Sequence, residues 1–461
     1  MNVSSKRELI GNEAVVILDT IRRLNRRNAV DHLLKMVNKT HPADLAIIFR
    51  HLNTDERRNI FNIIAQTDIV GYFLSEIDQA IMLELVEDLT PQYMVSIIKE
   101  MDKDDAADLF EALPENVANE IRKGMEKSDR EEVDELLKYD PNTAGGLMSP
   151  DFMAHDEEMT VGDAIKKVQE YSEEKEMAFY LYITHGPDSR LSGVLSLREL
   201  LMHPPYRQLK NIMNPKVVAV TTEMDKGEVA HIVSKYNFLA VPVIDQNYKL
   251  VGIVTVDDII DVIREEASEE FLQMAGVGKD QEILLKPVFN NALIRAPWLF
   301  ATWVGGIVNI LIITSFQVEL QKVLALAAFI PIIAGMGGNI ATQSSTIVVR
   351  GLATGRINMN ALGSLLFKEM RVGLILGSFY GLLLGVLAFL GYAEPSKLGL
   401  VVGLSIFFSM TLAATVGTFV PLVLRRLEID AAIATGPFVT TAIDILGVTA
   451  YFMIAKIFLT L

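Results

Sequence analysis

Ala434-Thr435-Gly436-Pro437-Phe438-Val439-Thr440-Thr441-Ala442-Ile443-Asp444-Ile445-Leu446-Gly447 places a carboxylate inside an apolar run that extends from about Ala431 to Leu459. As a helix, a run of that length crosses a hydrocarbon core of roughly 30 Å. Asp444 lies thirteen residues into it, roughly 20 Å along at about 1.5 Å per residue, which predicts a position near the bilayer middle. Insertion scales put an Asp there at roughly +2.5–3.5 kcal/mol, so it requires water, a partner or a cation. No Lys, Arg or His lies between Asp430 and Ala455 to neutralise it. A protonated structural carboxylate is the bland alternative; the missing counter-charge favours a cation pathway.

Four further apolar segments precede this one, at roughly 296–316, 323–349, 372–392 and 398–424. One set of flanks carries Lys286, Arg295, Arg350, Arg356, Lys368, Arg371, Arg425 and Arg426, and the other only Lys322, Lys397 and Lys456. The positive-inside rule then predicts a multi-pass protein of the cell (inner) membrane with its N-terminus in the cytoplasm and its C-terminus outside. Met1 to Ile10 lacks the apolar core of a secretory signal, so the first ~290 residues are expected to stay in the cytoplasm. In the second segment Gly335, Gly337 and Gly338 follow Pro331, a combination expected to weaken the helix and let backbones approach. Asn339, Thr342, Gln343 and Thr346 then share a face. Small-residue packing accounts for the glycines; backbone and amide groups lining a hydrated path account for both features. Pro421 and Pro437 predict further breaks. Five helices with one intramembrane carboxylate are too few to enclose a channel alone, and a symmetric dimer would bring two Asp444 side chains to one axis.

Charge divides the 461-residue chain sharply. Residues 1–285 hold 31 Lys and Arg against 52 Asp and Glu, a net of −21, whereas residues 286–461 hold 11 against 6, a net of +5. An acidic half excludes nucleic acid, whose affinity comes from neutralised phosphates. It suits cations, because clustered carboxylates concentrate divalent ions. Cysteine is absent, and the seven His residues (32, 41, 51, 155, 185, 203, 231) all precede the apolar half. The membrane part therefore lacks the thiolate and imidazole ligands of a metalloenzyme, and no enzyme activity is expected.

Residues 1–140 read as helix throughout, with apolar positions three and four apart and few Gly or Pro. Pro42-Ala43-Asp44-Leu45 with Phe49 and Leu52, Ala80 to Leu85 with Leu89, and Ala106 to Phe110 with Leu113 are loosely similar. They suggest an all-α superhelix of stacked hairpins; an irregular bundle fits the pattern equally. A turn-rich stretch, Tyr139 to Gly146, closes the region.

A second repeat follows. Met148-Ser149-Pro150 is echoed by Met213-Asn214-Pro215, and Gly193-Val194-Leu195-Ser196-Leu197-Arg198-Glu199 by Gly252-Ile253-Val254-Thr255-Val256-Asp257-Asp258. With Ala240-Val241-Pro242-Val243-Ile244-Asp245, this resembles a tandem α/β pair of CBS domains over residues 141–265, split into 141–207 and 208–265. Such pairs often bind adenosine nucleotides. The resemblance implies ATP at Thr255 and Asp258, with Pro215 and Val217 along the cleft. Ser196 and Glu199 stand where the first unit would carry its own Thr–Asp pair, so one nucleotide per pair is expected.

Seven carboxylates follow between Asp257 and Glu270, with Arg264 the one cation among them. Asp258, Asp261, Glu265 and Glu269 fall within about one 80° stripe of a helix. Like charges so placed cost a helix a few tenths of a kcal/mol per pair. A solvated acidic face is the ordinary reading; a position directly before the first membrane segment favours a metal site.

Helical N-domain, CBS pair, acidic connecting helix (266–290) and five-helix transmembrane domain (291–461) together resemble the MgtE family of bacterial magnesium channels, also called transporters. Its most specific parts here are Gly335-Met336-Gly337-Gly338-Asn339 with Gln343, and Gly436-Pro437 with Asp444. The resemblance implies Mg²⁺ import through a pore on a homodimer axis in the bilayer, with Asp444, Asn339, Gly338 and Gly436 about the ion. It also implies closure by cytoplasmic Mg²⁺ at Asp258, Asp261, Glu266, Glu269 and Glu270, with Asp108 of the N-domain. Asn237 stands where family members can carry Asp, and Ala341-Thr342 where a Gly-Asn pair is expected. Mg²⁺ sheds water reluctantly and is usually held through one or two carboxylates, which suits a lone intramembrane Asp per subunit. The rivals are an ion-coupled carrier for Co²⁺ or similar ions and a CBS-regulated anion channel. The latter needs basic residues along its path, and here they sit at the membrane edges. A sensor or scaffold without transport leaves Asp444 unexplained.

Overall fold

The computed structural model describes residues 10–87, 89–171, 179–186, 188–278, 283, 286–354, 357, 362–392, 397–427, 429–434 and 436–459. The chain divides into two compact units, Met1–Arg264 and Glu265–Leu461.

The first unit begins with short helices: α1 (Ile10–Arg26), α2 (Val30–Val37), α3 (Pro42–Phe49), α4 (Thr54–Ile64), α5 (Val70–Glu76), α6 (Gln79–Val86), α7 (Pro91–Lys99), α8 (Lys103–Ala112), α9 (Glu115–Gly124) and α10 (Lys127–Leu136). Their starts are written locally. Asn53 and Glu56 form a reciprocal capping box on α4, Thr90 caps α7, and Pro42 and Pro91 occupy first-turn positions where no amide is lost. Most of these helices pack on the one two places along, as α3 on α5 and α7 on α9, which is the stacking of a superhelix. Phe73 sits between Phe49 (ring centroids 4.6 Å) and Phe61 (6.2 Å) in a continuous core. Ion pairs tie successive layers: Arg50–Asp78 (2.7 Å), Arg57–Glu84 (2.9 Å), Lys99–Glu126 (2.9 Å) and Lys103–Asp129 (3.0 Å). Their near-constant sequence separation shows the repeat better than the apolar residues do.

After α11 (Ala144–Leu147) come two copies of one α/β motif. In the first, β1 (Ala154–Asp156), α12 (Val161–Tyr171), β2 (Tyr180–His185), β3 (Arg190–Ser196) and α13 (Leu197–Met202) form a sheet of order β1-β2-β3. The second repeats it with β4 (Val220–Thr221), α14 (Lys226–Tyr236), β5 (Ala240–Ile244), β6 (Leu250–Thr255) and α15 (Val256–Met274). Each has one parallel and one antiparallel pairing, with a register shift at the same place: Ile183/Thr184 and Val243/Ile244. The copies exchange their leading segments. Ser149 pairs with Ile253 and Asn214 with Val194, both through two backbone hydrogen bonds. Met148 lies over Gly252 and Met213 over Gly193, so the Met and Gly echoes in the sequence are two halves of one contact.

The second unit holds α16 (Val288–Ser315), α17 (Gln317–Lys322), α18 (Ala325–Ala353), α19 (Leu362–Gly391), α20 (Leu398–Arg426) and α21 (Pro437–Phe458). Five of these, α17 excepted, are long and apolar enough to cross a membrane. Their core, with Ile333, Ile340, Ala341, Ile406, Met410, Ala413 and Ile443, lies among α18, α20 and α21. Gly373, Gly377, Gly381 and Gly385 let α19 meet the backbone of α20; a Cβ at Gly377 would stand 2.8 Å from the Phe407 carbonyl oxygen. By contrast α16 is largely uncovered along Leu299, Phe300, Trp303 and Ile310.

Three expectations change here. α18 runs unbroken through Pro331 and the three glycines, so its carbonyls serve the helix; of the glycines, Gly337 packs closely, a Cβ there standing 2.9 Å from Ser409 Oγ. Pro421 likewise lies inside an unbroken α20. Finally, Ala431–Ala434 is a separate 3-10 turn and α21 starts at Pro437. Asp444 is therefore seven residues into a 22-residue helix, about 10 Å along one of about 33 Å. It stands about a third of the way along rather than at the middle.

Candidate functional site

Asp444 is half-buried on α21, and no hydrogen bond or ion pair to its carboxylate is found among the described residues. Gly338 of α18 faces it: a Cβ there would lie 3.9 Å from Asp444 Oδ1 and from Thr440. One turn on, Thr342 donates to the Gly338 carbonyl at 3.0 Å, while Thr440 turns its hydroxyl to the Pro437 carbonyl at 3.2 Å. Asn339 and Gln343 lie one turn apart on an exposed strip of α18, a polar strip on an otherwise apolar helix. Gly436 is the residue before α21, two turns from Asp444 and away from its carboxylate. The structure thus brings Asp444, Gly338 and Thr440 together, leaves Asn339 and Gln343 on the neighbouring open face, and keeps Gly436 apart. Behind them Ser409 Oγ is enclosed without a partner between Gly337 and Gly447.

Gly436 contacts the acidic helix instead. A Cβ on it would lie 3.2 Å from the Met274 carbonyl oxygen, and Gly276, at φ +71°, seats Pro437 where a Cβ would meet the ring at 2.8 Å. The stretch just after α15 therefore abuts the start of the helix that carries Asp444. Gln273 is buried there with Oε1 unpartnered. Glu270 lies 3.9 Å from Arg350; burial raises its carboxyl, Arg350 opposes that, and Glu266 and Asp430 add to it. Glu269 is half-buried, whereas Asp261 is exposed and pairs with Arg264 at 3.1 Å.

A second acidic group forms within the first unit. Burial pushes the Asp104 carboxyl up to about 8, the charges of Asp258 and Asp105 adding to it. Asp105 rises to about 7 by burial and then the charges of Asp102 and Asp258, and Asp258 to about 6 by burial. Asp104 Oδ1 is enclosed and has no hydrogen-bond partner among the described residues. Among the described residues no three His, Cys, Asp or Glu side chains stand in ligating geometry. Asp108 is exposed, and its charge adds to the rise of Asp105. Sequence reading missed Asp104 and Asp105, although Asp102, Asp104 and Asp105 crowd the start of α8 and that signal was available.

The nucleotide reading fares differently. Thr255 donates to Asp258 at 2.6 Å, and Asp258 faces the charges of α8, so this pair is engaged with itself and the N-domain. Pro215 is exposed and Val217 partly so. A cleft between the two sheets is lined instead by Phe152, Phe179, Tyr180, Tyr182, Ala240 and Ile253. The Tyr182 hydroxyl is enclosed there without a partner. Tyr180 pairs with Ser196 across the ladder, and Ser196 is locked in a capping box with Glu199.

Family models match as a divalent cation transporter over residues 330–454, an MgtE intracellular N domain over 40–142 and a CBS domain over 209–265. The chain is 33% identical over 436 residues to a magnesium transporter MgtE of Bacillus subtilis, covering 95% of this chain and 96% of that one. It is 34% identical over 437 residues to the MgtE of Thermus thermophilus, covering 93% and 95%. A solved cytosolic domain of the Mg²⁺ channel MgtE in complex with ATP matches at TM-score 0.51 and 31% identity, covering 53% of this chain and 99% of that structure. Identity at this level along nearly the whole of both relatives, over the same succession of domains, shows that the chain belongs to the MgtE family of magnesium transporters.

Proposed function

We propose that the chain passes Mg²⁺ into the cytoplasm along a path at Asp444 and closes that path when cytoplasmic Mg²⁺ fills its acidic clusters. The observation that carries this reading is Asp444 itself, a carboxylate without a partner among the described residues in an apolar helix, opposite a glycine that leaves room beside it. A hydrated Mg²⁺ needs such an arrangement: one carboxylate per subunit, hydroxyls and amides for its waters, and no tight cage. The exposed Asn339–Gln343 strip of α18 favours a second copy closing the path around an axis, since amides facing lipid are costly. Asp258, Asp261, Glu266, Glu269 and Glu270 on α15, with Asp104, Asp105 and Asp108 on α8, would supply the regulatory carboxylates. Like charges 4 Å apart repel by roughly 4 kcal/mol at an effective dielectric of about 20, and bridging cations reverse the sign. Closure then requires only that the compact form bind more Mg²⁺ than the open one.

An adenosine nucleotide at the CBS pair is a second reading, favoured by the ATP complex of the 31% identical cytosolic domain. The test of the main reading is Mg²⁺ flux into liposomes holding the full chain. Asp444→Asn keeps the shape, removes the charge and should bring flux to background with the thermal midpoint unchanged. Parental flux in that variant contradicts the assignment.

A further inference from the structure

Glu369 is buried inside α19, at 5% exposure. The sequence reading passed over it because Lys368 and Arg371 flank it and the apolar run begins only afterwards; Asp444 is therefore not the one carboxylate among these helices. Ser344 of α18, itself 2% exposed, donates to Glu369 Oε2 at 3.0 Å. The contact joins two helices whose main packing lies elsewhere: α19 rests on α20, and α18 on α20 and α21. On the buried face of α19, Gly373, Gly377 and Gly381 follow Glu369 at intervals of four residues and bring backbone against backbone. Glu369 is thus the first side chain on that face with any reach, and it reaches the helix that faces Asp444.

We propose that the Glu369–Ser344 hydrogen bond sets the rotation of α18 so that Gly338 opens space at Asp444 and Asn339 and Gln343 face the ion path, making Glu369 a positioning residue for transport. At 100° per residue, Ser344 points about 100° away from Gln343 and 240° on from Gly338. Holding Ser344 toward α19 therefore fixes where the other three point. A few degrees of rotation at Ser344 travel undiminished along a rigid helix to Gly338, six residues away. A polar group in this setting is expensive unless it is paired, and ionisable residues within membrane helices mark function more often than packing. An aliphatic residue would fill the same space without imposing a direction, whereas a hydrogen bond has a preferred line.

The proposal rests on the reading of Asp444 as the ion site, and kinetics separate the two. Mg²⁺ flux into liposomes is measured against Mg²⁺ concentration for the full-length parent, Ser344→Ala, Glu369→Ala and Glu369→Gln. Glutamine keeps an acceptor for Ser344. A defect of folding alone lowers maximal flux and leaves half-saturation where it was. Mispositioned path residues instead raise the half-saturating Mg²⁺, by at least threefold in Ser344→Ala and Glu369→Ala, while Glu369→Gln stays within twofold of the parent. Ser344→Ala removes one oxygen from a small side chain and carries the test if Glu369→Ala does not fold. Unchanged half-saturation in Ser344→Ala overturns the proposal, and so does a Glu369→Gln variant as impaired as Glu369→Ala. Both results leave the Asp444 reading standing, since that fails only if Asp444→Asn transports like the parent.

Discussion

Gly252 and Gly193 show how much a single position can specify. Each seats the methionine that opens the opposite CBS copy, and a Cβ on Gly252 would fall 2.8 Å from the Met148 thioether. Overpacking of this kind costs about 1–3 kcal/mol. Gly252→Ala should lower the thermal midpoint of the full chain by several degrees, read by melting in detergent; an unchanged midpoint means Met148 has somewhere else to go. The sequence displays both residues of this contact but not that they touch, because the exchange of leading segments is a tertiary event. Asp444 is the opposite case. It is legible from its apolar surroundings alone, whereas its neighbour Gly338 is legible only as one glycine among three. Glu369 was hidden because its flanking cations look like a membrane edge, and only the packing of α19 on α20 reveals that it is inside.

Among elements, the two CBS copies and the five apolar helices could be read from pattern, since repeats and hydropathy are local signals. The course of α18 could not. Pro331 and three glycines argue for a break, yet contacts with α20 and α21 keep the helix continuous, a case of tertiary packing overriding propensity. The start of α21 was misplaced for the reverse reason: Ala431–Ala434 is apolar but lies outside the helix. The meeting of α8 and α15 has a consequence for stability. Asp104, whose carboxyl rises from 3.8 to about 8, binds more protons folded than unfolded across that interval. Stability of the metal-free chain is therefore full below pH 4 on this account and is lost as pH rises toward 8. One pKa unit corresponds to about 1.4 kcal/mol, so even a third of this shift, allowing for solvent, is worth about 2 kcal/mol. In chelator, the thermal midpoint of the parent should fall from pH 5 to pH 8, and Asp104→Asn should flatten that slope. An equal slope in both proteins would remove Asp104 from the cluster.

The whole molecule is divided by charge as it is by solvent. An acidic half of net −21 precedes an apolar half of net +5, and within the second unit the last turn of α15 lies beside Gly436. On the proposed reading, carboxylates that repel until cations bridge them would act on the path at Asp444 as a valve operated by the ion it admits. That coupling is the central claim. Its most direct test is the open probability of single channels of the full chain, recorded against cytoplasmic Mg²⁺ from micromolar to tens of millimolar. The parent should close across this range, and a variant with Asp104, Asp105 and Asp258 all changed to Asn should remain open at Mg²⁺ concentrations at least tenfold higher. Closure of both proteins at the same Mg²⁺ concentration would contradict the account.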